Sequence, residues 1–192
     1  MRIDHPDVLD FIRVKEDLKE LTNFNLSVAV TDEFMAALKA NPGKEHVVRN
    51  PRNGESRPLP REDGSKWTVG ELFNVIVQKA WQTGEPGIIF LDRINEANPT
   101  PHIGSIEATN PCGEQPLLPY ESGNLGSINV AKFVRETGEG KAFDFEGLRQ
   151  VVRLATRFLD NVIDINRYPI PEIEAIAKAN RKIGLGVMGF AD

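Results

Sequence analysis

The chain has 192 residues, 40% hydrophobic and 27% charged, with a net charge of −5, a globular composition able to enclose a core. The acidic balance gives no electrostatic basis for coating nucleic acid, and no run of about 18 apolar residues could span a membrane. One cysteine, Cys112, excludes an internal disulfide, and the polar start Met1 to Asp7 lacks the apolar stretch of a signal peptide, so a cytoplasmic location is expected.

Asp7 to Leu21 carries Val8, Phe11, Ile12 and Leu18 at helical spacing after Pro6, which predicts a helix. Phe24 to Val30 alternates apolar and polar residues like a strand. Thr31 suits the N-cap of a short helix to Ala40, ended by Pro42-Gly43. Residues 45–64 are turn-rich, with Asn53-Gly54 marking a surface β-hairpin. Thr68 to Gln82 sets Val69, Leu72, Phe73, Ile76, Val77 and Ala80 on one helical face. Gly87 to Leu91 is continuously apolar, which predicts a strand buried on both faces, as in a parallel sheet.

Residues 92–130 are rich in Asn, Pro, Gly and Ser, with short strand-like pieces at 105–108 and 124–130. Long irregular segments on a scaffold tend to carry sites. Asp144 to Asn166 reads as the strongest helix, broken by Pro169 and Pro171, and Pro171 to Asn180 as another. Lys182 to Phe190 reads as a glycine-studded strand. Gly184-x-Gly186-x-x-Gly189 matches a dinucleotide fingerprint by letter, but no helix follows it, so close strand packing is expected. The alternation predicts an α/β protein with some parallel pairing. The stop directly after a strand is expected of a truncated domain.

Asn110, Cys112 and Glu114 stand at alternate positions, with Pro111 and Pro116 disfavouring helix. In an extended chain, alternate residues share a face about 6–7 Å apart. Amide, thiol and carboxylate would then address one ligand: two groups to hold vicinal hydroxyls, and a sulfur to take a hydrogen atom. A lone cysteine is also a common small buried hydrophobe. His5, His46 and His102 show no metal-ligand spacing. A Cys112–His102 nucleophilic pair is conceivable, with core or surface histidine the plainer reading. Asp92, Asn95 and Glu96 follow a strand, where α/β proteins place ligands, though capping of the next turn explains them more simply. Trp67 and Trp81 are expected to pack against the helix they flank.

The run Asn110-Pro-Cys-Gly-Glu-Gln-Pro-Leu117, followed by Tyr120-Glu-Ser-Gly-Asn-Leu-Gly-Ser-Ile-Asn129, closely resembles the active-site segment of class II, adenosylcobalamin-dependent ribonucleotide reductases. Arg2 to Asp7, Leu21 to Asn25, Gly87 to Asn95 and Ile183 to Phe190 look like further landmarks of that family, so the resemblance covers the whole chain. It implies part of a ten-stranded α/β barrel of the ribonucleotide reductase and glycyl-radical type, with residues 1–192 a partial catalytic barrel domain incomplete at both ends. It implies that Cys112 becomes a thiyl radical and takes the ribose 3′-hydrogen. Glu114 would hold the 3′-hydroxyl and act as its general base, and Asn110 would bind the ribose hydroxyls. The implied cofactor is adenosylcobalamin, the substrate a ribonucleoside di- or triphosphate, and the reductant an external dithiol. A complementary reductase chain or a second copy is the implied protein partner.

One position departs from the pattern. Gly123 stands where the resemblance implies a redox cysteine, and the second member of that pair would precede Met1, so a reductase carrying Gly123 is expected to fail at multiple turnover with the usual reductant, thioredoxin. Three alternatives stay open: a class I large subunit, separable by its lack of cobalamin dependence; a non-catalytic piece needing a complementary chain, separable by size exclusion; and a Cys–His hydrolase, separable by labelling of Cys112.

Overall fold

A computed structural model describes residues 1–17, 19, 21–138 and 140–191. The chain is α/β and divides into two compact units, Met1–Pro116 and Leu117–Asp192.

The first unit contains α1 (Val8–Arg13), β1 (Ser27–Val30), α2 (Asp32–Ala40), β2 (Val47–Arg49), β3 (Ser56–Pro58), α3 (Val69–Thr83), β4 (Gly87–Phe90), α4 (Leu91–Glu96) and β5 (Ala108–Thr109). Strands β1 and β4 pair in parallel, Ser27 opposite Gly87 and Val30 opposite Phe90. On the other side of β1, Arg2 bridges Ala29 in parallel, with Ile3 N–H donating to Ala29 O at 2.9 Å and Ala29 N–H to Met1 O at 2.8 Å. β1 is therefore central, and Val28, Ala29 and Val30 are all buried.

This reverses the burial expected from sequence. Alternation at Phe24–Val30 suggested one buried face, yet β1 is enclosed. The apolar run at Gly87–Leu91 suggested two buried faces, yet Phe90 is 48% exposed. Strand position decides it: β4 has a partner on one side only among the described residues.

Helix α3 owes its start to a full capping box. Thr68 Oγ1 accepts the Glu71 N–H, and Glu71 Oε2 accepts the Thr68 N–H. Its end is Gly84 in the left-handed region, φ 82°, whose N–H donates to Ala80 O. Val69, Leu72 and Ile76 enter a core with Ile3, Val8, Ile12, Val28, Val30, Phe34, Val48 and Leu59. The predicted hairpin is present, Val47 opposite Pro58, but Val48 is fully buried, so one of its faces belongs to the core. Helix α1 ends at Arg13, short of the predicted Leu21, and Leu18 and Glu20 of that reading lie outside the described residues. Trp81, expected to pack, is 85% exposed, while Trp67 lies under the Arg61 guanidinium, 4.0 Å from the ring centroid.

Strand β6 (Pro116–Leu117) lies at the junction of the units. The second unit then has β7 (Asn124–Asn129), a 3-10 turn (Val130–Phe133), β8 (Val134–Thr137), β9 (Gly140–Phe143), α5 (Phe145–Ile165), α6 (Pro171–Asn180) and β10 (Ile183–Met188). β7 and β10 pair in parallel over six residues, Asn124 opposite Ile183 and Asn129 opposite Met188. The glycines near Phe190 serve this close packing. A Cβ on Gly184 would stand 2.3 Å from Leu125 Cδ2, and one on Gly189, φ 70°, would stand 2.2 Å from Asn129 Oδ1. Helix α5 buries Leu159 and Ile163 while exposing Phe145, Leu154, Phe158 and Ile165. No helix among the described residues is long and apolar enough to cross a membrane.

Candidate active site

The segment 104–115 is built from asparagine side chains standing in for backbone partners. Asn95, in α4, places its amide against the backbone of Ile106: Nδ2 donates to Ile106 O at 2.9 Å and Oδ1 accepts Ile106 N–H at 2.8 Å. Its Nδ2 also donates to Leu91 O. Asn98 donates to Gly104 O at 2.9 Å and accepts the Thr100 N–H at 2.9 Å. These bonds satisfy polar backbone where no sheet ladder passes, and they let Ile106 be buried.

The loop bearing the motif follows β5. Asn110 N–H donates to Gln115 O at 3.0 Å, and Gly113 N–H donates to Asn110 O at 3.0 Å. Asn110 Oδ1 accepts the Gln115 N–H at 2.9 Å. Gly113 takes φ 84°, the left-handed conformation that an L side chain adopts only under strain. The chain thus turns through Pro111 and Cys112, while Gln115 is buried and anchors the far side.

This corrects the extended geometry expected from sequence. Asn110, Cys112 and Glu114 do not alternate along a strand, because the turn at Pro111–Gly113 breaks the two-residue period. They lie together on one six-residue loop, with Cys112 and Glu114 exposed and Asn110 half-buried. Among the described residues, no hydrogen bond joins these three side chains to one another, and His102 makes none to Cys112. Asn110 has committed its Oδ1 to the loop, which leaves its Nδ2–H to donate outward.

One long-range bond holds the tip: Asn25 Nδ2 donates to Pro111 O at 3.0 Å. The sequence offered Asn95 as a strand-end ligand or a cap, not as a clamp on Ile106, and it did not single out Asn25 or Asn98. No local pattern marks an asparagine that bonds a backbone 86 residues away.

Other charged groups are used structurally. A cleft of about 500 Å³ at the carboxyl ends of β1 and β4 is lined by Arg2, Asp4, Thr31, His46 and Asp92, among others. Arg2 and Asp4 pair there through two 2.8 Å bonds, and Asp92 Oδ2 accepts the Asp32 N–H at 2.7 Å, capping α2. His46 is buried, its Nε2 2.9 Å from Ile3 O and its ring edge-on to Phe34. Burial lowers its pKa, against the Ile3 carbonyl and Asp4, which raise it. In the second unit, Gly123 follows Glu121, whose carboxylate accepts the Leu118 N–H and Asn180 Nδ2, each at 2.9 Å, and pairs with Lys182. Among the described residues no three His, Cys, Asp or Glu side chains gather to hold a metal ion.

A family described as "Ribonucleotide reductase, barrel domain" matches residues 1–192. The chain is 48% identical over 193 residues to a "Vitamin B12-dependent ribonucleoside-diphosphate reductase" of Thermoplasma acidophilum, covering 100% of this chain and 24% of that protein. It is 50% identical over 191 residues to a protein of the same description from Mycobacterium tuberculosis, covering 99% and 26%. A "Ribonucleoside-diphosphate reductase subunit alpha" of Chlamydia pneumoniae is 38% identical over 152 residues, covering 77% and 14%. The chain therefore spans about a quarter of the length of the first two relatives.

Proposed function

The chain belongs to the ribonucleotide reductase family, as a stretch of its barrel domain, and on that premise we propose that the 110–115 loop carries the reacting centre of a ribonucleoside-diphosphate reductase. The observation that carries the reading is the loop itself: a turn closed at Asn110 and Gln115 that presents Cys112 between an amide and a carboxylate. The substrate is a ribonucleoside diphosphate, after the description of the B12-dependent relatives, and the cofactor is adenosylcobalamin.

The sulfur of Cys112 is accessible on this stretch of the barrel domain. The thiol is exposed, and a Cβ built on Gly113 would meet no atom within 4 Å, so the backbone beside the sulfur is open to approach. Bound, adenosylcobalamin supplies the initiating radical by homolysis of its cobalt–carbon bond. Cys112 would give its S–H hydrogen to that initiating radical and, as a thiyl radical, take the ribose 3′-hydrogen. Glu114 accepts the 3′-hydroxyl proton as general base, and Asn110 Nδ2 donates to a ribose hydroxyl oxygen. The 2′-hydroxyl would leave as water, with two electrons and two protons supplied by an external dithiol that becomes a disulfide, and the 3′-hydrogen would be returned by Cys112.

The two parallel ladders, β1–β4 and β7–β10, support membership in one ten-stranded α/β barrel, with 1–192 a partial barrel domain. The exposed apolar residues of α5 suit cover by further barrel elements. The external reductant and any complementary chain or second copy are part of the same reading.

The test is nucleotide reduction by full-length protein. Cys112→Ala should abolish deoxynucleotide formation with added adenosylcobalamin and dithiothreitol, and Glu114→Gln should lower kcat by about 10²–10⁴. Activity that persists in Cys112→Ala refutes the assignment, and activity independent of cobalamin favours a class I reductase. With thioredoxin as reductant, protein carrying Gly123 should fail at multiple turnover on this reading, because it lacks one half of the dithiol that would pass the two electrons to the substrate, and Gly123→Cys should restore turnover wherever a partner cysteine is present.

A further inference from the structure

Resting on the assignment of Cys112 as the radical residue, we infer that Asn25 is a positioning residue for its sulfur. Asn25 Nδ2 donates to the Pro111 carbonyl at 3.0 Å. That carbonyl belongs to the peptide bond whose nitrogen is Cys112, so its orientation constrains where the Cys112 side chain emerges. Pro111 has no N–H of its own, so this peptide unit's other handle is the Cys112 N–H.

The remaining bonds of residues 110–115 give the loop its shape but not its place. Asn110 to Gln115 and Gly113 to Asn110 are internal. Among those described residues, the bond to Asn25 is the one that reaches a distant element. The stem is held separately, by Asn95 at Ile106 and Asn98 at Gly104. Asn25 itself is fixed on both sides. Phe24 O accepts from Lys15, Leu26 N–H donates to Glu85 Oε1 at 2.8 Å, and Leu26 O accepts the Gly87 N–H at 2.8 Å. Lys15 and Glu85 pair with each other. A hydrogen bond from a braced residue to the tip of a loop sets the height of that tip over the strands. Hydrogen-atom transfer needs reacting atoms about 3–3.5 Å apart, and a misplacement of about 1 Å can cost roughly 100-fold in rate.

Asn25→Asp keeps the shape and replaces the donor with an acceptor. Asn25→His restores a donor, Nδ1–H, at the same number of bonds from Cα. Both go into full-length protein beside Cys112→Ala, assayed with adenosylcobalamin and dithiothreitol, with kcat, KM and amide hydrogen exchange of residues 108–117 as readouts. Asn25→Asp should lower kcat about 10–100-fold with KM within about twofold, speed exchange at Gly113 and Gln115, and leave α3 exchange unchanged. Asn25→His should recover most of both losses, which a purely structural defect would not permit. If Asn25→Asp is poorly folded, Asn25→Leu against Asn25→His makes the same comparison, and equal kcat in those two overturns the inference. A kcat for Asn25→Asp within about twofold of wild type, with Cys112→Ala inactive, overturns it while leaving the assignment of Cys112 intact. Reduction surviving in Cys112→Ala removes the assignment and this inference together.

Discussion

Glu121→Gln should destabilise the second unit far more than any surface charge change. The Glu121 side chain is 0% exposed, and it holds three donors: Leu118 N–H, Asn180 Nδ2 and the Lys182 ammonium. Burial alone would raise its pKa; the bonds from Leu118, Lys182 and Asn180 and the Lys182 charge outweigh that and hold it below the ordinary glutamate value. Glutamine would turn an N–H toward one of those donors and remove the Glu121 charge from beside the Lys182 ammonium. Removing one partner of a buried pair costs about 3–5 kcal/mol. The Lys182 side chain keeps 18% exposure, and the water this admits lowers the expected loss to about 2–3 kcal/mol. At roughly 2–4 °C per kcal/mol for a chain of this size, Tm should fall by about 4–12 °C. The comparator is Glu174→Gln, which breaks an i,i+4 pair with Lys178 whose side chains are nearly half exposed and should cost at most about 0.5 kcal/mol. The pH dependence follows from the lowered folded pKa. The stabilisation is complete above the unfolded value near 4.5 and is lost as pH falls through the folded pKa, so the wild-type advantage should shrink below about pH 4.5. Thermal unfolding by circular dichroism measures both effects, and equal Tm values for the two variants at pH 7 would refute the reasoning.

Gly113→Ala meets no atom within 4 Å, so its cost is backbone strain at φ 84°, about 1–2 kcal/mol, measurable by urea unfolding; a neutral result would mean that the turn has another conformation. Thr68→Ala removes the cap of α3 and should cost about 1 kcal/mol, in contrast to Thr68→Ser, which should cost little. His46 is held below its ordinary pKa by burial, so it contributes stability fully present above about pH 6.5 and lost as pH falls toward its folded value; the drop in Tm over that interval should be smaller in His46→Gln.

The sequence made the fold's helices legible wherever a stop signal and an apolar face coincide. Thr31 and Thr68 open α2 and α3, and Gly84 and Pro169 close the two longest helices, each by a mechanism that acts within a few residues. Burial of strands was not legible in the same way. β1 and β4 exchanged their expected roles because enclosure depends on which strand sits between two neighbours, and the Met1–Ile3 segment that flanks β1 is a single bridge with no strand pattern of its own. The β8–β9 hairpin carries no amphipathic signal, since Val134 to Thr137 are all exposed, and a ribbon solvated on both faces leaves no period to read.

The site shows the same boundary more sharply. The residue types at Asn110, Cys112 and Glu114 could be read as chemistry, because amide, thiol and carboxylate keep their donor and acceptor inventory in any conformation. Their arrangement could not, because the reading assumed a two-residue period that one glycine at φ 84° abolishes. A turn alters what each group can do: it spends the Asn110 side-chain Oδ1 on the Gln115 N–H and so fixes which end of that amide remains to meet a ligand. The clamps at Asn25, Asn95 and Asn98 were still less legible. An asparagine that replaces a missing ladder partner has the composition of a loop and the function of a strand, and only the distant backbone it bonds tells the two apart.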